Sequence, residues 1–260
     1  MAQKFKEYYD PEYTSLLGEK LLPTWPSFSI TEFKAFVDPA LENLEFHQRM
    51  DRIVEGLTRF LPSNYTEVLT GFYRILGPEL STDTGMFTHG WWLWPIGRFV
   101  QTRAPEDPEA SYDFIYELTK RFTGEFAIRP LLEAYTQRTM EVMLGWSQDP
   151  NVHLRRLASE GIRTRLPWAA KSTAALGFPD LYVKILTNLK EAPEKFVQKS
   201  VGNNLNDLFR DAPELARSII EGWETPQSAE QPLAKSTQWI IRHGQRGERR
   251  RQTRSTDPPD

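Results

Sequence analysis

Three carboxylates in this 260-residue chain stand among residues that could turn them to chemistry. Glu160 lies in LRRLASEGIRTRLPW (154–168), with four arginines around it and Pro167 and Trp168 closing the stretch. Taken as a helix, the segment puts Arg156 and Glu160 four apart on one face, while Leu154, Leu157 and Ala158 supply a packing face. The pair is then either a solvated surface bridge or one wall of a site. Trp168, at the start of the next element, is either core or the lining of a pocket. Asp207 lies in KSVGNNLNDLFRDAPEL, where Asn203, Asn204 and Asn206 fall among Val201, Leu205 and Leu208. Asparagine and aspartate are poor helix formers away from caps. Asn203 and Asp207, four apart, project together as a hydrogen-bond network or a catalytic centre, since buried amides and carboxylates need partners. Glu125, in TKRFTGEFAIRPLLEAY, sits between Phe122 and Phe126. Such surroundings favour the neutral acid unless a cation compensates, and Arg129 is the nearest one; a surface pair is the alternative.

Helices must position these residues. β-Branched alternation and Asn-Gly or Asp-Gly turns between apolar segments are scarce. Helical spacing recurs in Phe33, Phe36, Val37 and Leu41, and in Met50, Ile53, Val54, Leu57 and Phe60 before Pro62. Trp91, Trp92 and Trp94 read as core between N-terminal helices. His153-Leu154-Arg155-Arg156, Phe196-Val197-Gln198-Lys199 and Trp239-Ile240-Ile241-Arg242 stand 43 residues apart, each an aromatic ring, an apolar residue and a closing base. That period suits HEAT-type helix pairs stacked into an α-solenoid with a concave face. Arg156, Lys199 and Arg242 then form a column on equivalent helices.

Net charge is −3 overall, yet residues 151–260 carry 18 basic against 13 acidic side chains and the first 150 carry 14 against 22. The basic second half suggests a polyanionic partner. Without cysteine there is no disulfide or zinc-thiolate site, and the four histidines show no metal-ligand spacing. The N-terminus lacks an apolar signal core and the longest apolar stretch, around WWLWPIG, is too short to span a bilayer. A soluble cytoplasmic protein is expected, with one repeat domain over 1–245 and a disordered basic tail over 246–260.

Four segments occurring in order, TGEFAIRP, LRRLASEGIRTRLPW, VGNNLND and WIIRHG, resemble the AlkC branch of the HEAT-like repeat alkylbase DNA glycosylases, relatives of AlkD. FSITEFKAFVDPALENLEFHQRMDRIVEGLTRFLP resembles the opening helices of that family, so the likeness covers roughly residues 20–245. It implies an all-α solenoid whose concave basic face holds alkylated duplex DNA and releases cationic bases, chiefly 3-methyladenine and, in this branch, 3-methylcytosine. AlkD-type members leave the lesion largely stacked, and the AlkC branch is similar in using an open cleft. Carried over by motif, Glu125, Glu160, Trp168 and Asp207 line the lesion pocket and Arg156 holds the backbone beside it.

An N3-alkylated adenine already carries positive charge and leaves as a neutral base, so the barrier lies in the oxocarbenium-like sugar. The resemblance thus gives Asp207 the role of stabilising that cation and positioning water. Glu125 and Glu160 add negative potential, and Trp168 contacts the cationic base through its face. Arg156, Lys199 and Arg242, helped by Arg163 and Arg165, neutralise phosphates, with His243 facing the DNA or packing. No metal or other cofactor is required, and a monomer is expected, nucleoid-associated when bound to DNA.

Gly202 stands where relatives tend to have alanine, and Thr123-Gly124 where serines are usual. Some members carry an immunoglobulin-like domain after the solenoid; with 17 residues following His243, none is expected here. The alternative from another class is a non-catalytic repeat scaffold binding nucleic acid or protein. Acidic groups within a basic groove favour the enzyme. A small-molecule hydrolase using paired carboxylates lacks any further motif.

Overall fold

The computed structural model describes residues 4–225 and 233–250, and every regular element among them is helical, as the all-α expectation requires. The chain divides into two compact units, Met1–Pro130 and Leu131–Asp260. No helix among the described residues is long and apolar enough to cross a membrane.

The first unit holds α1 (Pro11–Leu21), α2 (Ile30–Leu41), α3 (Phe46–Phe60), α4 (Tyr65–Tyr73), α5 (Trp94–Arg103) and α6 (Pro108–Thr119). Side-chain oxygens of Asp10, Ser29, Asn64 and Asp107 cap α1, α2, α4 and α6 by accepting from first-turn amides, which would otherwise lack partners. Most of the apolar spacing read in the sequence is buried, Phe33, Val37 and Leu41 of α2 and Met50, Ile53, Val54 and Leu57 of α3, whereas Phe36 and Phe60 are half-buried. Of the tryptophans expected in the core, Trp94 is buried, whereas Trp91 and Trp92 are half-buried and accept hydrogen bonds at their carbonyls from Tyr9 and Tyr13. Glu125 and Arg129 are both buried rather than forming a surface pair, and Thr123 Oγ1 donates to Glu125 Oε2 at 2.9 Å. α7 (Arg129–Ala134) spans the division between the units.

In the second unit α8 (Thr136–Trp146) and α9 (Val152–Glu160) are followed by α10 (Pro179–Leu189) and α11 (Lys195–Asp211), then α12 (Pro213–Glu224) and α13 (Lys235–Gly244). The starts of α8 and α10, and of α9 and α11, are separated by the period read in the sequence. α11 packs against both α9 and α13. Its Val197, Val201, Leu205 and Leu208 are fully buried, each stabilising the fold by about 1.5–3 kcal/mol. Across this stack the His153 and Phe196 rings lie 5.6 Å apart, whereas the Trp239 ring meets a cation of α11, Lys195 Nζ, 3.2 Å from its centre.

Close approach of α11 and α13 depends on two glycines. A Cβ on Gly202 would lie 2.8 Å from the His243 ring, and one on Gly244 would lie 2.7 Å from Leu205 Cβ. Gly202→Ala gains about 1 kcal/mol of helix propensity but overpacks by about 1–3 kcal/mol. Net destabilisation of about 1 kcal/mol is therefore expected in chemical denaturation, with the His243 ring displaced; a more stable variant would contradict this packing.

The basic tail expected to be disordered from residue 246 is helical over residues 246–250. The physical reason is polar: Arg246 donates to Asn203 Oδ1 at 2.7 Å, and the Gly247 amide donates to Asn206 Oδ1 at 3.2 Å. Residues 251–260 of that tail lie outside the described residues.

Candidate functional site

Glu160 is the last residue of α9, where the partial negative charge of the helix end disfavours a carboxylate. Cations gathered at that end compensate. Arg163, in the turn after α9, donates from Nη1 to Glu160 Oε1 at 2.6 Å, while Arg156, one turn back, lies 3.5 Å from the same oxygen. Ser200 of α11 donates to Oε2 at 2.6 Å. Arg163 also reaches across to α11, donating from Nε to Asp207 Oδ2 at 2.8 Å. Glu160, Arg163 and Asp207 thus form one buried acid–base–acid line, each residue less than a tenth exposed.

The two acids have opposite tendencies within that line. Burial pushes Glu160 towards its neutral form, but the charges of Arg156 and Arg163 and the hydrogen bonds from Ser200 and Arg163 outweigh it, leaving the pKa lowered. For Asp207, burial dominates and Arg163 offsets it only in part, while the nearby Glu160 charge adds to the rise. Among the described residues only Oδ2 of Asp207 has a hydrogen-bond donor, so the second oxygen is available to another group.

Every polar residue of NNLND ties α11 to a neighbour, which overrides its weak helix propensity. Asn204 donates to the Ser159 carbonyl at 2.8 Å and accepts from the Tyr182 hydroxyl. Asn203 faces His243 at 3.0 Å and accepts from Arg246, so it does not join Asp207 in one pair. Burial first, then the charges of Arg246, Lys199 and Lys195, lowers the His243 pKa to about 4. At neutral pH it is an uncharged hydrogen-bonding ring, not a counter-ion for phosphate.

The basic residues separate into three kinds. Lys199 and Arg242 are exposed on α11 and α13 and make no ion pair among the described residues. Arg156 is half-buried, shared between Glu160 and the face of Phe196, whose centre lies 5.3 Å away. Arg163 and Arg165, expected to help neutralise phosphates, are committed to carboxylates. Arg163 is only 6% exposed, and Arg165 donates twice to Asp211, at 2.8 and 2.7 Å. Trp168 belongs to a turn, not a helix start, and is 65% exposed.

Sequence reasoning passed over Ser200, Asp211 and Arg246 as site partners. The repeat offset could have found Arg246, because Glu160, Asn203 and Arg246 are successive equivalents at 43-residue spacing. Ser200 and Asp211 carry no comparable signal. No group of three or more potential metal ligands occurs among the described residues.

The helix pairs of this chain define a HEAT-like helical repeat protein, and residues 122–239 match the model of a family described as DNA alkylation repair enzyme. More particularly, the chain is similar to AlkC-type proteins, as its motifs led us to expect. It is 34% identical to the alkylpurine DNA glycosylase AlkC of Pseudomonas fluorescens, solved bound to DNA containing an abasic site analog, with a TM-score of 0.79 over 95% of this chain and 65% of that one. The uncharacterized protein YhaZ of Bacillus subtilis (strain 168) is 32% identical over 244 residues, 93% of this chain and 63% of YhaZ. The chain therefore spans just under two thirds of the length of either relative.

Proposed function

We propose that this protein is a DNA repair glycosylase that hydrolyses the N-glycosidic bond of cationic alkylated bases, 3-methyladenine and 3-methylcytosine, in duplex DNA. The observation that carries this reading is Asp207, a buried carboxylate with one oxygen fixed by Arg163 and the other available. The similarity to the P. fluorescens glycosylase supports it.

In this reading the bond from C1′ to the alkylated base breaks with its electron pair going to the base, which departs neutral. A carboxylate fixed before the reaction stabilises the positive charge left on the sugar, without reorganising as the charge develops. Water then attacks C1′ and gives up its proton to Asp207 or solvent. The base needs no protonation to leave, so no general acid is required, and the reaction ends at an abasic site. Glu160 acts through the two arginines that it holds. Trp168, exposed beside this line in sequence, contacts the face of the cationic base, an interaction of about 0.5–2 kcal/mol.

Of the basic residues singled out in the sequence, Lys199 and Arg242 are exposed and without an ion pair among the described residues, and they meet phosphates in this reading. Each such contact contributes about 0.9 to the slope of log affinity against log salt. Lys199→Ala is expected to weaken binding to duplex DNA and flatten that slope by about one, measured by fluorescence anisotropy; an unchanged slope removes Lys199 from the interface. The catalytic reading is tested by treating methylated duplex with the protein and counting abasic sites. Accumulation above the spontaneous rate is expected. Binding without abasic sites would favour a non-catalytic repeat scaffold, the reading left by the exposed cations alone.

A further inference from the structure

The turn that carries Trp168 is closed by a single carboxylate. Asp211, the last residue of α11, accepts at Oδ2 from Thr164 Oγ1 at 2.6 Å and from Arg165 Nε at 2.8 Å. At Oδ1 it accepts from Arg165 Nη2 at 2.7 Å and meets Lys171 Nζ at 2.8 Å. Its side chain is 2% exposed beneath the two cations. Thr164 and Lys171 are the two ends of the turn, which is also closed by the Ser172 amide donating to the Thr164 carbonyl at 3.0 Å. At its tip Trp168 has φ of 64°, the only positive φ of a non-glycine residue described. A bulky L-residue disfavours that conformation, and it persists where the surroundings over-determine it, commonly at functional sites. Its indole is the most exposed of the large apolar side chains described.

We propose that Asp211 is a positioning residue: by gathering Thr164, Arg165 and Lys171 it holds Trp168 out in a preformed orientation to meet the face of a cationic nucleobase. The role of the indole rests on the glycosylase reading; the clamp itself does not. Asp211 suits the task because its donors outweigh the effect of its burial and hold its pKa far below the usual carboxylate range, so it stays ionised. Holding the ring before DNA arrives removes the entropy of ordering it on binding. Arg165 and Lys171 are then structural cations of the turn before they are phosphate contacts.

The test uses the full chain labelled with 5-fluorotryptophan, the Trp168 fluorine resonance being assigned with Trp168→Phe. Asp211→Ala is expected to move that resonance towards free indole and leave the other seven in place. Asp211→Asn, which retains a carbonyl oxygen for Thr164 and Arg165, guards against loss of fold and is expected to shift it less. A resonance unchanged in both variants overturns the clamp. On a duplex containing 3-methylcytosine, Asp211→Ala and Trp168→Ala are expected to slow excision at saturating protein by the same factor, about tenfold, with the double variant no slower. Fully additive losses overturn the link between clamp and ring. Should the unaltered protein excise nothing, the glycosylase reading fails while the fluorine spectra still decide the clamp.

Discussion

Asp207→Asn is expected to slow base release at neutral pH by a factor of about 10² to 10³, the loss typical when one fixed charge-stabilising group is removed. Its thermal stability is expected to stay the same or rise. Burial raises the Asp207 pKa in the folded protein, so the folded state holds its proton more tightly than the unfolded chain does. Its favourable contribution is thus full below the ordinary carboxylate pKa and fades as pH rises through the raised one. At neutral pH the ionised form burdens the fold, and asparagine removes that burden while Arg163 keeps Glu160. Activity has the opposite dependence. In the proposed mechanism it needs the carboxylate, so it is expected to be lost as pH falls, with its acid limb above the range of a free aspartate. Melting curves and single-turnover rates across pH check both halves; a variant that melts much earlier would assign Asp207 to structure.

Glu160→Ala is expected to do the reverse. Removing it leaves Arg163 and Arg156 short of the carboxylate that binds both, and Ser200 without its acceptor. Breaking a buried ion pair from one side costs about 3–5 kcal/mol. For a chain of this size that is a fall of roughly 10 °C in melting temperature. Because Glu160 has a lowered pKa, its contribution is full above the ordinary carboxylate pKa and is lost as pH falls through the folded value. The gap between the two proteins is therefore expected to close in acid, as differential scanning calorimetry at two pH values can show. Two acids joined by one arginine should thus respond to replacement with opposite signs, whereas equal losses would mean that they serve one structural role.

The sequence revealed the helices where apolar spacing decides them, as in Met50, Ile53, Val54 and Leu57, because one buried stripe admits only that geometry. It also revealed the repeat, since His153, Phe196 and Trp239 fall on successive packed helices α9, α11 and α13. What it could not reveal was the partner of each charge. Arg163 and Arg165 differ by two residues, yet one is buried between two acids and the other is clamped on Asp211, because the chain turns between them. Burial removes Arg163 from the surface cations, whereas Arg165 stays exposed with its guanidinium held by Asp211. Asn203 and Asp207 share a helix face by spacing, but His243 of α13 and Arg246 beyond it take the first and Arg163 in the turn after α9 takes the second. The tail from 246 looked unable to pack because it lacks apolar residues; Arg246 and Gly247 pack through hydrogen bonds to α11 instead.

The most direct measurement is to incubate the purified protein with methylated duplex DNA and identify the released bases by chromatography and mass spectrometry, beside Asp207→Asn. Release of 3-methyladenine or 3-methylcytosine well above the spontaneous rate is expected with the unaltered chain, and release near background with the variant. A folded, DNA-binding sample that releases neither base, or a variant as active as the parent, would contradict it.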